Sequence, residues 1–123
     1  MIKIPISLGE LFDKITILNI KLEKISGESK IKNINKELIL LQAIAKKNPI
    51  DPNLLVDLDS VNRRIWDIED NIRLCEKDKN FGQYFIGLAR GVYFNNDTRS
   101  DIKRQINESH DSDIIEEKSY EKY

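Results

Sequence analysis

Apolar residues near the start of the chain recur at alternating steps of three and four. The set is Leu8, Leu11, Ile15, Leu18, Leu22 and Ile25. This is the a/d spacing of a heptad repeat, which places one apolar stripe along one face of an α-helix. Ser7 followed three residues later by Glu10 predicts a capping box at the start of this helix. The pattern therefore predicts a helix that begins after Ser7 and ends at Gly27, preceded by a short extended segment over residues 1–6.

Two further segments keep the same spacing. The second set is Ile31, Ile34, Leu38, Leu41 and Ala45, and the third is Leu54, Leu58, Val61, Ile65, Ile68, Ile72 and Cys75. Pro49 ends the second helix, and Asp51 followed by Pro52 is a favourable start for the third. Because only a few polar residues separate the first two helices, they are predicted to form an antiparallel hairpin.

The fourth segment is less regular than the other three. It opens after Gly82, carries Gly87 and Gly91 four residues apart, and then places polar residues where the apolar stripe should continue. The two glycines suggest a close approach of the backbone to a neighbour or a ligand, since glycine otherwise costs about 1 kcal/mol in a helix. We predict a kink or break near residues 95–97, with a new helix start near Thr98.

Together these patterns predict an all-α protein: an antiparallel bundle or coiled-coil hairpin of about four helices. Residues 1–108 are expected to form one helical domain. Residues 109–123 are acidic and hold few apolar residues, so they are expected to form a carboxyl-terminal tail that docks on the domain or stays mobile.

Charge is balanced overall and unevenly distributed. The net charge is −1, with nine lysines against five acids in residues 1–50 and eleven basic against sixteen acidic residues in 51–123. Halves of opposite net charge favour self-association or docking within the chain. They argue against a nucleic-acid partner, because proteins that bind nucleic acid are basic overall. No secretory signal or bilayer-length apolar stretch is present, so we expect a cytoplasmic protein without a membrane partner.

Residues that support catalysis or metal binding are scarce. Cys75 is the only cysteine and His110 the only histidine, so we expect no metal site and no cofactor. No serine or cysteine lies near a base, and no glycine-rich phosphate loop is present, so the sequence argues against nucleophilic catalysis. A remote alternative is a small all-helical enzyme with the architecture of chorismate mutases, which orient a dicarboxylate with Arg and Lys side chains, although their amino-terminal arginine motif is not matched.

The interrupted fourth segment holds the candidate ligand-binding residues. They are Arg90, Tyr93, Asn96, Asp97, Arg99, Lys103 and Arg104. Such a group of donors suits a phosphate, a carboxylate or a sugar phosphate. Two other interpretations remain: a buried polar layer that sets helix register, and a surface ion-pair network.

Three motif-bearing regions resemble an uncharacterised family of short bacterial and phage proteins of unknown function. The motifs are Pro5-Ile6-Ser7-x-Gly9-Glu10-Leu11-x-Asp13-Lys14-x-Thr16-Ile17-Leu18, then Leu88-Ala89-Arg90-x-Val92-Tyr93 with Asn96-Asp97-x-Arg99-x-x-Ile102-Lys103-Arg104-x-Ile106-Asn107, and last Glu116-Glu117-Lys118-Ser119-Tyr120. The resemblance implies no activity. Because members of that family occur beside surface-polysaccharide and tetratricopeptide-repeat proteins, it hints at sugar-related or assembly roles.

The motifs also suggest which polar residues meet. Glu10, Asp13 and Lys14 lie near the start of the first helix, and their charges pair with the fourth segment if those two helices are neighbours. Residues 116–120 would then close over the same place. A shared polar pocket and a helix-register lock are both open interpretations.

Two functional hypotheses follow. The first is a non-enzymatic helical interaction or accessory protein that self-associates as a dimer, with a protein partner as a further expectation. The second is a small-ligand binding protein that uses the polar cluster of the fourth segment.

Overall fold

The computed structural model describes all 123 residues and consists of four α-helices without a strand. The helices are α1 (Leu8–Lys24), α2 (Glu28–Lys46), α3 (Pro52–Lys77) and α4 (Gln83–Ser109). The predicted all-α class is confirmed. None of the four helices is long and apolar enough to span a membrane.

The predicted N-cap residues of α1 and α3 are confirmed. Ser7 Oγ accepts the Glu10 N–H at 3.1 Å, and Asp51 Oδ1 accepts the Asn53 N–H at 2.9 Å, with Pro52 in the first turn of α3. The capping box is only half formed, because the Glu10 carboxylate binds Lys103 of α4 instead. Gly27, expected at the end of α1, has a φ of 114° and precedes the first residue of α2.

α1, α3 and α4 pack against one another in one part of the molecule, which we call the base. α1 contacts α2, α3 and α4, α3 also packs along α4, and α2 packs on α1 alone. The core holds α1 residues with Ile34 and Leu38 of α2, Leu58 and neighbours of α3, and Ile106 of α4. The buried face of α1 is wider than its predicted stripe, because Phe12, Asp13, Thr16 and Ile20 are buried as well.

The predicted break in the fourth segment is wrong. α4 is a single helix that runs through residues 95–99, so no helix starts near Thr98. The polar residues find partners without interrupting the helix. Asn95 donates to the Gly91 carbonyl and accepts from Arg64 of α3, while Thr98 donates back to the Phe94 carbonyl.

The two glycines of α4 differ in their surroundings. A Cβ on Gly91 would lie 3.1 Å from Ile68 Cδ1, so here the backbone does approach α3 closely. A Cβ on Gly87 would meet nothing within 4 Å, which contradicts the expected close approach at that residue.

The outer parts of α3 and α4 form a two-helix extension, here called the arm and defined as residues 64–98. Within it Cys75 is the only buried residue. Its apolar stripe is half-buried, because α1 covers α3 and α4 only at the base of the molecule. The stripe comprises Ile65, Ile68, Ile72, Leu88 and Val92.

Candidate functional site

An ion pair joins the first and fourth helices at the base of the molecule. Asp13 of α1 is 1% exposed, and its carboxylate accepts two hydrogen bonds from the Arg99 guanidinium of α4, with Nε to Oδ1 at 2.9 Å. The two residues are 86 positions apart in the chain. This two-point contact fixes how α1 and α4 lie against each other, since a guanidinium fork matches a carboxylate in one plane.

Lys103 extends this pair into a larger cluster. Its Nζ lies 2.7 Å from Glu10 Oε2, 3.3 Å from Glu116 Oε2 and 3.8 Å from Asp13 Oδ2. We call the five residues Glu10, Asp13, Arg99, Lys103 and Glu116 the ionic cluster. Its two cations face three carboxylates, so every positive charge in it has an anionic partner within the chain.

α3 contributes a neutral hydrogen bond donor to the same place. Asn62 Nδ2 lies 2.9 Å from Asp13 Oδ1 and 2.8 Å from Thr16 Oγ1, and Thr16 donates to the Asp13 carbonyl. No buried side-chain nitrogen or oxygen in the protein lacks a partner. The cluster is thus a completed polar network that reaches from the buried Asp13 to the surface, and an unpaired group at its buried end would be costly.

The surroundings shift the pKa values of the cluster. Burial raises the pKa of Asp13, but hydrogen bonds from Arg99 and Asn62 and the nearby positive charges outweigh it and hold that pKa below its ordinary range. Burial lowers the pKa of Lys103, but its bond to Glu10 and the charges of the three carboxylates raise it above its ordinary value. Both residues therefore stay charged across the neutral range.

A glycine allows the two helices to approach this closely. The Gly9 N–H donates to Asn107 Oδ1 at 2.7 Å, and a Cβ on Gly9 would lie 2.6 Å from the Lys103 carbonyl oxygen. Sequence reasoning directed attention to Gly87 and Gly91 and missed Gly9. The signal that could have found it is the glycine in the first turn of a helix, where a residue with better helix propensity is usual.

The carboxyl-terminal residues 110–123, here called the tail, fold back along α4. Ser112 Oγ accepts the Leu8 N–H at 3.1 Å, which ties the start of the tail to the start of α1. Farther along, Glu117 binds Arg104, and the Tyr123 hydroxyl donates to Asp97. The tail thus runs antiparallel to α4 and lies on its outer face.

A groove with a volume of about 660 Å³ lies between the tail and α4. We call it the tail groove. Its lining is Arg90, Val92, Tyr93, Phe94, Asn96, Asp97 and Ser100 of α4 and Lys118, Tyr120, Glu121 and Tyr123 of the tail. The Tyr123 ring makes edge contacts with Tyr93 and Phe94 at centroid distances of 5.3 and 5.1 Å.

The candidate ligand-binding residues therefore divide between different places. Arg99 and Lys103 belong to the ionic cluster, while Arg104 lies between Glu108 and Glu117. The remaining four, Arg90, Tyr93, Asn96 and Asp97, line the tail groove. Lys14 lies at the edge of the cluster, with its Nζ 3.9 Å from Glu10 Oε1. Sequence reasoning did not single out Asn62 or Tyr123, and it named Asn107 and Tyr120 only within the family motifs.

Fold and site together define a small helical protein in which a partly buried ionic cluster joins two helices and a docked tail forms a groove. The chain matches a family model of unknown function, DUF6165, over residues 2–123. It therefore belongs to that family. No curated protein and no solved structure matches the chain.

Proposed function

We propose that this protein is a non-enzymatic interaction module that self-associates as a dimer through the arm. The observation that carries the proposal is the lack of burial between Arg64 and Thr98, where Cys75 alone is buried. In the whole chain, more large apolar side chains are exposed than buried. A chain of this size that leaves so much apolar surface in water is typical of a subunit in an assembly.

The arm lacks the helices that a bundle needs. Two antiparallel helices cover only one side of each other, and a third or fourth helix normally covers the rest of the apolar stripe. In the base, α1 does this for the region around Leu58 and Ile106. Along the arm no helix of the same chain takes that place, so a second arm laid against the first would complete a four-helix bundle.

Charges along the arm suit a second copy of the same chain. Arg64, Asp67, Asp70 and Arg73 are all exposed on α3 and mix both signs within ten residues. In a two-fold symmetric interface, residue i of one copy contacts residue j of the other copy, and residue j contacts residue i. A surface that carries both charge signs can therefore pair with its own copy, whereas a surface of one sign would repel it. The end of the arm where α3 joins α4 adds exposed apolar surface, contributed by Leu74, Phe81, Tyr84 and Ile86.

The alternative of an anion site in the fourth segment has weaker support. A phosphate or carboxylate ligand at Arg99 and Lys103 would have to displace Asp13, Glu10 or Glu116 from these cations. Because Asp13 is buried, losing its partner would leave an uncompensated charge in the core. The ionic cluster is better explained as a contact that fixes helix register.

Sedimentation equilibrium over the micromolar range tests the proposal. We expect a dimer for the natural chain and a dissociation constant at least about tenfold larger for the double variant Leu74→Glu/Tyr84→Glu, because four carboxylates would then face one another across the interface. Both residues are exposed, so the change should not unfold the monomer.

Ile39→Glu is the control outside the arm. Ile39 is exposed on α2, so this substitution adds one carboxylate per chain, against two in the double variant, and should leave the dimer intact. A chain that stays monomeric at high micromolar concentration would contradict the proposal. If Ile39→Glu dissociates the dimer and Leu74→Glu/Tyr84→Glu does not, the interface lies on α2 and the proposal is wrong.

A further inference from the structure

We propose that the tail groove binds an uncharged saccharide. The proposal is independent of self-association, because α4 and the tail of one chain form the whole groove. A volume of about 660 Å³ lies within the range of small-ligand sites and is enough for about two or three sugar rings.

The groove offers aromatic surface that is only partly covered. Tyr93 and Phe94 are 43% exposed, and Tyr120 is 73% exposed although it belongs to the docked tail. A sugar ring has an apolar face made of C–H groups, and an aromatic ring is a flat apolar surface of similar size that can pack against it. Tyr93 on one wall and Tyr120 on the other supply such surfaces.

Polar groups in the groove have free hydrogen-bonding capacity. The side chains of Asn96 and Ser100 form no hydrogen bond within the protein, and Tyr123 occupies only one oxygen of the Asp97 carboxylate. An amide has donors and acceptors side by side, and a carboxylate has two acceptors, so each can bind two neighbouring hydroxyl groups. Arg90 adds donors, since its guanidinium packs on Phe94 and pairs with no carboxylate.

The charge balance of the groove favours a neutral ligand. Arg90 and Lys118 are matched by Asp97 and Glu121. An anionic ligand such as a sugar phosphate would meet repulsion as well as attraction, and a nucleic-acid strand would find no basic surface. A ligand with apolar faces and hydroxyl edges but no net charge uses all the groups present.

The neighbouring cavity on α4 differs from the tail groove in its lining. It has a volume of about 150 Å³ and lies beside Lys103, Arg104 and Glu116. Its three cations, Lys103, Arg104 and Lys118, already pair with carboxylates of the same chain, and no aromatic residue lines it. It shares Ser100 and Lys118 with the tail groove but lacks the aromatic stacking surface.

Nuclear magnetic resonance titration of the ¹⁵N-labelled full chain tests the proposal. The probes are maltotriose, cellotriose and triacetylchitotriose, with glucose 6-phosphate as the charged comparison. We expect at least one trisaccharide to shift the backbone amide signals of Tyr93, Asn96, Asp97 and Tyr120 in a saturable way. Glucose 6-phosphate should bind more weakly than that trisaccharide.

Two variants check the position of the site. Tyr120→Ala and Asn96→Ala should each weaken binding of the trisaccharide by about tenfold or more. Tyr84→Ala removes an exposed tyrosine outside the groove and should leave binding unchanged. The circular dichroism spectrum of each variant shows whether the helices are intact.

Three results would overturn the proposal. The first is the absence of saturable shifts with all three trisaccharides at millimolar concentration. The second is unchanged binding in both Tyr120→Ala and Asn96→Ala with intact helices. The third is tighter binding of glucose 6-phosphate than of any trisaccharide, which would mean that a charged group is recognised. Each result can be obtained whether the chain is a monomer or a dimer.

Discussion

Arg99 of α4 holds the carboxylate of Asp13 of α1 with two hydrogen bonds, although 86 residues separate them along the chain. Asp13 is buried and Arg99 is partly exposed. The pair therefore acts as a fixed point between the first and last helices, because a displaced α4 would leave the Asp13 charge in the core without its partner.

The first prediction concerns this pair. Arg99→Ala should lower the free energy of unfolding by on the order of 3 kcal/mol, because it strands the Asp13 carboxylate. In Asp13→Leu/Arg99→Ala the buried charge is gone, and the loss should be smaller than the sum of the losses in Asp13→Leu and Arg99→Ala. Urea unfolding followed by circular dichroism measures all four chains of this double-mutant cycle.

Arg63→Ala is the control for that cycle. Arg63 also binds a carboxylate with two hydrogen bonds, that of Glu23, but this pair is exposed and screened by solvent. Its removal should cost much less than removal of Arg99. Equal losses for the two arginines would show that the Asp13 pair does not contribute through burial.

The second prediction compares two glycines. Gly9→Ala should destabilise the protein by about 1–3 kcal/mol, because the added Cβ would lie 2.6 Å from the Lys103 carbonyl oxygen and push α1 from α4. Gly87→Ala should stabilise it by about 0.5–1 kcal/mol, because that position is helical and open. Thermal unfolding of both variants checks the opposite signs.

The third prediction concerns acid. The pKa of Asp13 is below 3.8 in the folded protein, so its contribution to stability is complete above that ordinary value and is lost as the pH falls through the folded pKa. Asp13→Asn should therefore reduce the slope of unfolding free energy against pH below about pH 4. An unchanged slope would mean that other carboxylates cause the acid sensitivity.

Alkaline pH acts on the same cluster with the opposite sign. The pKa of Lys103 is raised above 10.5, so its contribution is complete below that value and is lost as the pH rises through the folded pKa. Lys103→Met should remove this part of the alkaline loss of stability. Stability measured from neutral to high pH in both chains shows the difference.

The fourth prediction uses Tyr123 to report whether the tail is docked. Its hydrogen bond to Asp97 raises the pKa of Tyr123 to about 12, so this tyrosine should lose its proton last in an ultraviolet titration. Asp97→Asn should lower that pKa towards 10, the ordinary value for tyrosine. If the natural chain shows no late-titrating tyrosine, the tail does not rest on Asp97.

The sequence by itself determined the helices and most of their boundaries. Stripes spaced by three and four, Ser7 and Asp51 as caps, and the Pro49 and Gly82 breaks are local signals, and each acts within one or two turns of the chain. Local signals were misleading at residues 95–99. There a polar run predicted a break, whereas Asn95 is satisfied by Gly91 on its own helix and by Arg64 on another.

Only the tertiary structure decided what the polar residues do. Asp13, Asn62, Arg99 and Lys103 lie on three helices, and nothing local shows that they share one buried place. The same holds for Gly9, whose importance comes from a carbonyl 94 residues away, and for the groove that the tail completes. The physical reason is that heptad stripes specify which face of a helix is buried, while the choice of neighbour depends on contacts between distant residues.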